Sequence, residues 1–152
     1  MNFLACDLGG TKVLLGIFER VINDDSPKLL FKKKYLSSDW DSFELILEDF
    51  LKNECNNITH PSSACFAVAG PLSNNNAKIM NLSWNISGNK LKNKFKFKQC
   101  ELINDFAVQI YGIPFLKKIN IQLSKMDHIL MVLTMICMPL SEPVLVWALQ
   151  EA

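Results

Sequence analysis

An α/β fold built on a mixed sheet with parallel crossovers is the architecture this sequence predicts. Two apolar runs, Phe3–Cys6 and Val13–Phe18, flank the turn Gly9-Gly10 and form an antiparallel hairpin. Further along, buried-strand runs at Ser63–Ala69 and Cys100–Ile103 alternate with helical stripes, the order that produces parallel strands joined by helices.

The remaining elements follow in chain order. Leu29–Leu36 is apolar at one end and carries Lys32, Lys33 and Lys34 in its middle, so it predicts a third strand with a solvated lysine face. Phe43, Ile46, Leu47, Phe50 and Leu51 recur at helical spacing and predict a helix from Asp41 to Asn53, capped by Ser38 or Asp39. Gly70-Pro71 and Asn74-Asn75-Asn76 mark a turn, after which Ile79–Leu82 is expected to return as a strand. Ser87 is expected to cap a short helix reaching Phe95. A further amphipathic helix carries Phe106, Ile110 and Tyr111 and ends near Gly112-Ile113-Pro114.

Composition narrows the function classes. With 152 residues, 49% of them hydrophobic, the chain has the make-up of about one soluble domain. Its 16 basic and 15 acidic residues leave a net charge of +1, too little to draw it to nucleic acid or an anionic membrane. Pro139, Ser141, Glu142 and Pro143 break the apolar stretch from Ile129 to Leu149 into pieces shorter than a membrane span needs. The N-terminus has no basic region ahead of an apolar one, and five cysteines without a CxxC pair suit buried, reduced thiols; together these imply a cytoplasmic protein. The run Lys90–Lys98 interleaves five lysines with Phe95 and Phe97 and suits either a solvated surface or contact with nucleic acid, and the solvated surface explains it without a partner.

Three motifs could carry chemistry. Asp7-Leu8-Gly9-Gly10-Thr11 occupies the hairpin turn, where side-chain-free glycines let backbone N–H groups approach a phosphate and a carboxylate can hold a magnesium ion through water; it is equally an ordinary tight turn. Met80-Asn81-Leu82-Ser83-Trp84 puts an amide and a large aromatic after a strand end, with Trp84 either walling a cleft or filling the core. Asn104-Asp105 stands where a buried strand passes into a helix. There a carboxylate can bind a sugar hydroxyl and accept its proton, or simply cap the helix.

Taken together and in this order, these motifs resemble the bacterial-type glucokinase family of the actin-like ATPase superfamily over residues 1 to about 118. The resemblance implies a ribonuclease-H-like N-terminal lobe. It implies ATP-dependent phosphorylation of glucose, or a similar hexose, at the 6-hydroxyl with Mg²⁺, Asp105 being the general base. Asn81 and Asn104 are then sugar ligands beside Asp105; Asp7, Gly9, Gly10 and Thr11 face the ATP phosphates, and Asp7 reaches the metal through water. A homodimer is compatible with the resemblance, while neither a nucleic acid nor a membrane is an expected partner.

The likeness ends in residues 119–152. That segment lacks the family's second glycine-rich turn, its Glu-x-x-His element and its further Glu, so the sequence reads as a truncated lobe with an atypical tail, for which a shifted reading frame near residue 120 is one origin. Two rivals stay open: a related sugar kinase or sugar-sensing repressor, against which the early position of the phosphate turn argues, and a non-catalytic remnant that binds a partner.

Overall fold

The computed structural model of the chain describes residues 1–20, 27–79, 81–108 and 133. In chain order the elements are β1 (Asn2–Leu8), β2 (Lys12–Glu19), β3 (Lys28–Leu36), α1 (Phe43–Asp49), β4 (Ser63–Val68), β5 (Leu72–Ser73), β6 (Asn76–Lys78), β7 (Asn85–Ser87), α2 (Gly88–Lys94) and β8 (Gln99–Asn104). Residues 105–108 open a further helical turn. The main sheet has the order β3-β2-β1-β4-β8, and β5, β6 and β7 make a small second sheet. β1 pairs antiparallel with β2 and parallel with β4, and β4 pairs parallel with β8, so the sheet is mixed as expected.

The two central strands read as unbroken apolar runs because both of their faces are covered. On one face Leu4, Cys6, Leu8, Leu15, Ile17, Phe66 and Val68 pack with Phe43, Ile46, Leu47 and Phe50 of the α1 segment. On the other, the small side chains of Ala5, Cys65 and Ala67 lie with Leu14, Phe18, Val108 and Leu133. Cys6, Cys55, Cys65 and Cys100 are buried and joined in no disulfide, as the cysteine pattern suggested, whereas Cys137 lies outside the described residues. No described helix is long and apolar enough to cross a membrane.

Helix α1 is capped by Ser42, whose hydroxyl accepts from the Leu45 N–H at 3.4 Å, and not by Ser38 or Asp39. The preceding Ser37–Asp39 makes a separate tight turn, because buried Ser37 is committed to the glycine turn of the first hairpin. Beyond Asp49 the helix widens through Phe50–Glu54 and closes with Cys55 N–H donating five residues back to the Phe50 carbonyl at 3.0 Å. The second helix expected from Ser87 is α2, but the Ser87 hydroxyl makes no capping bond. The helix after Asp105 is described only to Val108, and Ile110 and Tyr111 lie outside the described residues.

The returning strand expected at Ile79–Leu82 is a turn instead, closed by Leu82 N–H on the Ile79 carbonyl at 3.4 Å. The return is made twice in shorter steps. β5 and β6 are joined by Asn74-Asn75 with φ of +50° and +58°, the two-residue turn whose twist matches a hairpin, and β7 then pairs with β6.

The lysine-rich strand divides its lysines between two environments. Lys32 and Lys34 are exposed, while Lys33 turns to the helical face, bonds Glu54 at 2.9 Å, lies 3.6 Å from Asp49 and sits 4.6 Å over the Tyr35 ring. In the second basic run the five lysines are exposed and Phe95 and Phe97 are buried, with Lys94 Nζ 5.3 Å over the Phe95 ring.

Phe66 is fully buried with its ring 5.3 Å from that of Phe43 at 78°. Phe66→Ala should cost about 3–5 kcal/mol, read as a lower urea midpoint at unchanged fold. Asp49 is held below the usual carboxylate range, first by the Asn53 amide and then by the Tyr35 hydroxyl and Lys33. A carboxylate whose folded pKa is depressed contributes stability in full above its unfolded value near about 3.9, and loses it as pH falls through the folded pKa. The stability gap between wild type and Asp49→Asn should therefore be constant at neutral pH and shrink below about pH 4 in urea melts.

Candidate active site

β1, β4 and β8 run parallel and end at one edge of the main sheet. Their register aligns Asp7 with Ala67 and Ala67 with Ile103, and in the next row Leu8 with Val68 and Val68 with Asn104. With neighbouring strands about 4.8 Å apart, Asp7 and Ile103 stand about 10 Å from each other across the sheet. The first and third motifs, distant in sequence, thus meet at the carboxyl ends of parallel strands, the position where open α/β sheets collect ligands.

The glycine turn between β1 and β2 is held from within and from outside. Gly9 N–H donates to the Lys12 carbonyl at 3.0 Å, and a side chain at Gly9 would press on that carbonyl at 3.2 Å. Ser37, unremarked in the sequence, donates its N–H to the Thr11 carbonyl at 3.0 Å and its hydroxyl to the Gly9 carbonyl at 3.1 Å. Gly9 N–H is therefore occupied within the turn, which leaves the Gly10 and Thr11 N–H groups as the better placed donors to an anion. Asp7 is half-buried near the end of β1, just ahead of the turn. No cluster of three metal-binding side chains occurs among the described residues.

At the far strand, Asn104 uses both ends of its amide. Its nitrogen donates to the Gly70 carbonyl at 3.1 Å, and its oxygen accepts from Phe106 N–H at 3.0 Å. The capping bond that sequence would assign to Asp105 is shared: Asn104 caps the helical turn, and Asp105 Oδ1 accepts from the same N–H at 3.0 Å. Asp105 is half-buried at the first helical position.

Asn81 occupies the third position of the Ile79–Leu82 turn with φ +68°, a left-handed conformation that asparagine tolerates, and it is exposed. Trp84 is 4% exposed and belongs to the main core, which decides between its two readings. Gly70 was visible in the sequence only as a turn signal. Its φ of +148° and the Lys78 carbonyl, 2.9 Å from where a side chain would begin, show that nothing larger fits. Asn75, likewise read from the sequence only as part of a turn, donates from its side-chain amide to the Cys100 carbonyl at 2.9 Å and accepts from Leu102 N–H at 2.8 Å.

The glucokinase family model matches residues 4–129. The chain belongs to the glucokinase family. It is 38% identical over 121 residues to the glucokinase of Synechocystis sp., a match covering 74% of this chain and 34% of that protein. It is 39% identical over 115 residues to the glucokinase of Trichormus variabilis, covering 76% and 33% respectively. The chain therefore spans about a third of the length of these glucokinases. Among solved structures, the glucokinase of an Antarctic psychrotroph superposes with a TM-score of 0.67 at 30% identity, over 74% of this chain and 35% of that one. These likenesses establish the actin-like sugar-kinase fold anticipated from the motifs.

Gly70→Ala should destabilise the lobe by about 1–3 kcal/mol through forced backbone strain. The same change should shift the amide resonances of Asn104 and Phe106 in nuclear magnetic resonance spectra, because the Gly70 carbonyl anchors Asn104.

Proposed function

We propose that this chain carries the phosphate-facing and acceptor-base half of a glucokinase site, for ATP-dependent phosphorylation of glucose or a similar hexose at its 6-hydroxyl. The observation that carries this reading is the common strand edge of the Asp7–Thr11 turn and the Asn104-Asp105 pair. Asp105 would accept the proton of the hexose hydroxyl as its oxygen forms the bond to phosphorus, while Asn104 and Asn81 hold neighbouring hydroxyls. Bound ATP with its Mg²⁺ would supply the transferable phosphoryl group and neutralise its charge. Gly10 and Thr11 N–H groups would meet the phosphates, with Asp7 orienting water around the ion.

Phosphoryl transfer depends on positioning and charge neutralisation more than on covalent chemistry by the protein. Residues 119–152 carry no Gly-x-Gly-Thr-Gly turn and no Glu-x-x-His element, so this chain alone is expected to bind sugar without turning it over at a useful rate. Its partners would be a hexose and a nucleotide in the cytoplasm, neither nucleic acid nor membrane, and a homodimer is compatible with that role.

Titration calorimetry of the purified chain with glucose, with and without Mg-ATP, tests the reading. Saturable heat that disappears in Asp105→Ala is the expected result, with negligible glucose-dependent ADP formation. A folded chain that gives no heat with glucose would sink the sugar-binding proposal, and rapid ADP formation by the pure chain would refute the half-site.

A further inference from the structure

β8 is an edge strand of the main sheet, yet its outer edge is not left open. The β5–β6 hairpin lies along it without strand pairing, and two side-chain amides take the place of the missing backbone ladder. Asn104 reaches out from the strand end to the Gly70 carbonyl at the start of the hairpin. Asn75 reaches back from the hairpin tip, where its carboxamide bonds both the Cys100 carbonyl and the Leu102 N–H, as a peptide group of a neighbouring strand would. Three further features hold Asn75 in that pose. Its backbone is left-handed at φ +58°, its own carbonyl accepts from Gly88 N–H at 2.9 Å, and a methyl group at Gly88 would overlap its carboxamide.

The consequence lies at both ends of the hairpin. β8 ends in Asn104 and runs directly into Asp105, and β6 runs directly into the Ile79–Leu82 turn that presents Asn81, itself tied back by Ile79 N–H on the Trp84 carbonyl at 3.1 Å. Asn75 is the side-chain bridge from the hairpin tip to the strand that delivers Asp105. We infer that Asn75 is a positioning residue for hexose recognition: its amide fixes the Asn81 turn in register with Asn104 and Asp105 without itself touching the sugar. The inference rests on the sugar-binding reading of those three residues.

Asn75→Gly keeps the left-handed backbone and removes only the bridge. Loss of two hydrogen bonds that set register should weaken glucose binding by about tenfold in calorimetry. Asn75→Asp, which keeps the acceptor for Leu102 N–H, should fall between the two. Ile46→Val, a core change remote from β8, serves as a control for stability alone. At a matched loss of melting temperature it should leave glucose affinity unchanged, and an equal loss in that control would reduce Asn75 to a structural residue. Wild-type affinity in Asn75→Gly would overturn the inference. If the wild-type chain binds no glucose, the coupling is still read from hydrogen exchange at Leu102 and the amide shifts of Asn81, Asn104 and Asp105. Movement of all four in Asn75→Gly would support the coupling while the sugar reading fails, and an unmoved Asn81 would overturn it.

Discussion

Burial of β1 and β4 on both faces is the constraint from which the rest of the structure follows. A strand covered on both sides must satisfy every backbone group in the sheet and present apolar side chains up and down, so polar chemistry can enter only where the strand stops. Asp7 stands near the end of β1, Gly70 follows β4, and Asn104 closes β8, all on the edge that parallel pairing makes common. The small side chains on the second face, Ala5, Cys65 and Ala67, let the chain lie close over it through Val108 and Leu133. The sheet thereby serves as a ruler, setting the separation of the glycine turn and the Asn104-Asp105 pair by strand spacing and not by flexible loops.

How much of this was legible in the sequence depends on the length of each signal. The main-sheet strands and the α1 stripe were readable because Phe3–Cys6, Val13–Phe18, Ser63–Ala69 and the Phe43–Phe50 spacing are long enough to show a period. The small sheet was not, since strands of two or three residues have no period, and Asn85–Ser87 carries a single buried side chain, Ile86. The wrong cap for α1 has a different cause. Ser38, Asp39 and Ser42 are all good caps by residue type, and only the tertiary bonds of Ser37 to the glycine turn decide which one the helix can use. The Asp-x-Gly-Gly-Thr and Asn-Asp motifs were legible as chemistry, yet their meeting on one edge required the register. Asn75 gave no signal beyond a turn, because a side chain that imitates a backbone is invisible to pattern.

Asparagine carries much of the work at this edge for a physical reason. A carboxamide offers donors and an acceptor without charge, so it can stand in for a peptide group in a half-buried setting where an ion would need costly desolvation. Asn104 and Asn75 each use one donor and one acceptor on backbone, and in Asn104 a second amide hydrogen and lone pair stay available by valence for a ligand. Structural anchoring and contact with a ligand are therefore compatible in Asn104 by valence, and the anchoring fixes the direction in which the amide points.

The surroundings of Asp105 impose a further physical constraint. Its neighbour Phe106 is 70% exposed, the most open large apolar side chain among the described residues. An aromatic ring left in water beside a carboxylate is a surface that gains free energy when covered, at roughly 25 cal/mol per Å² of apolar area removed from water. Whatever covers Phe106 also comes to lie beside Asp105, because the two residues are consecutive at the start of the helical turn. Asp105 is held in place by its position just past the end of β8 and by accepting from Phe106 N–H at 3.0 Å. The placement of that carboxylate is therefore a property of the strand end, whereas the exposure of its aromatic neighbour depends on what comes to lie over it.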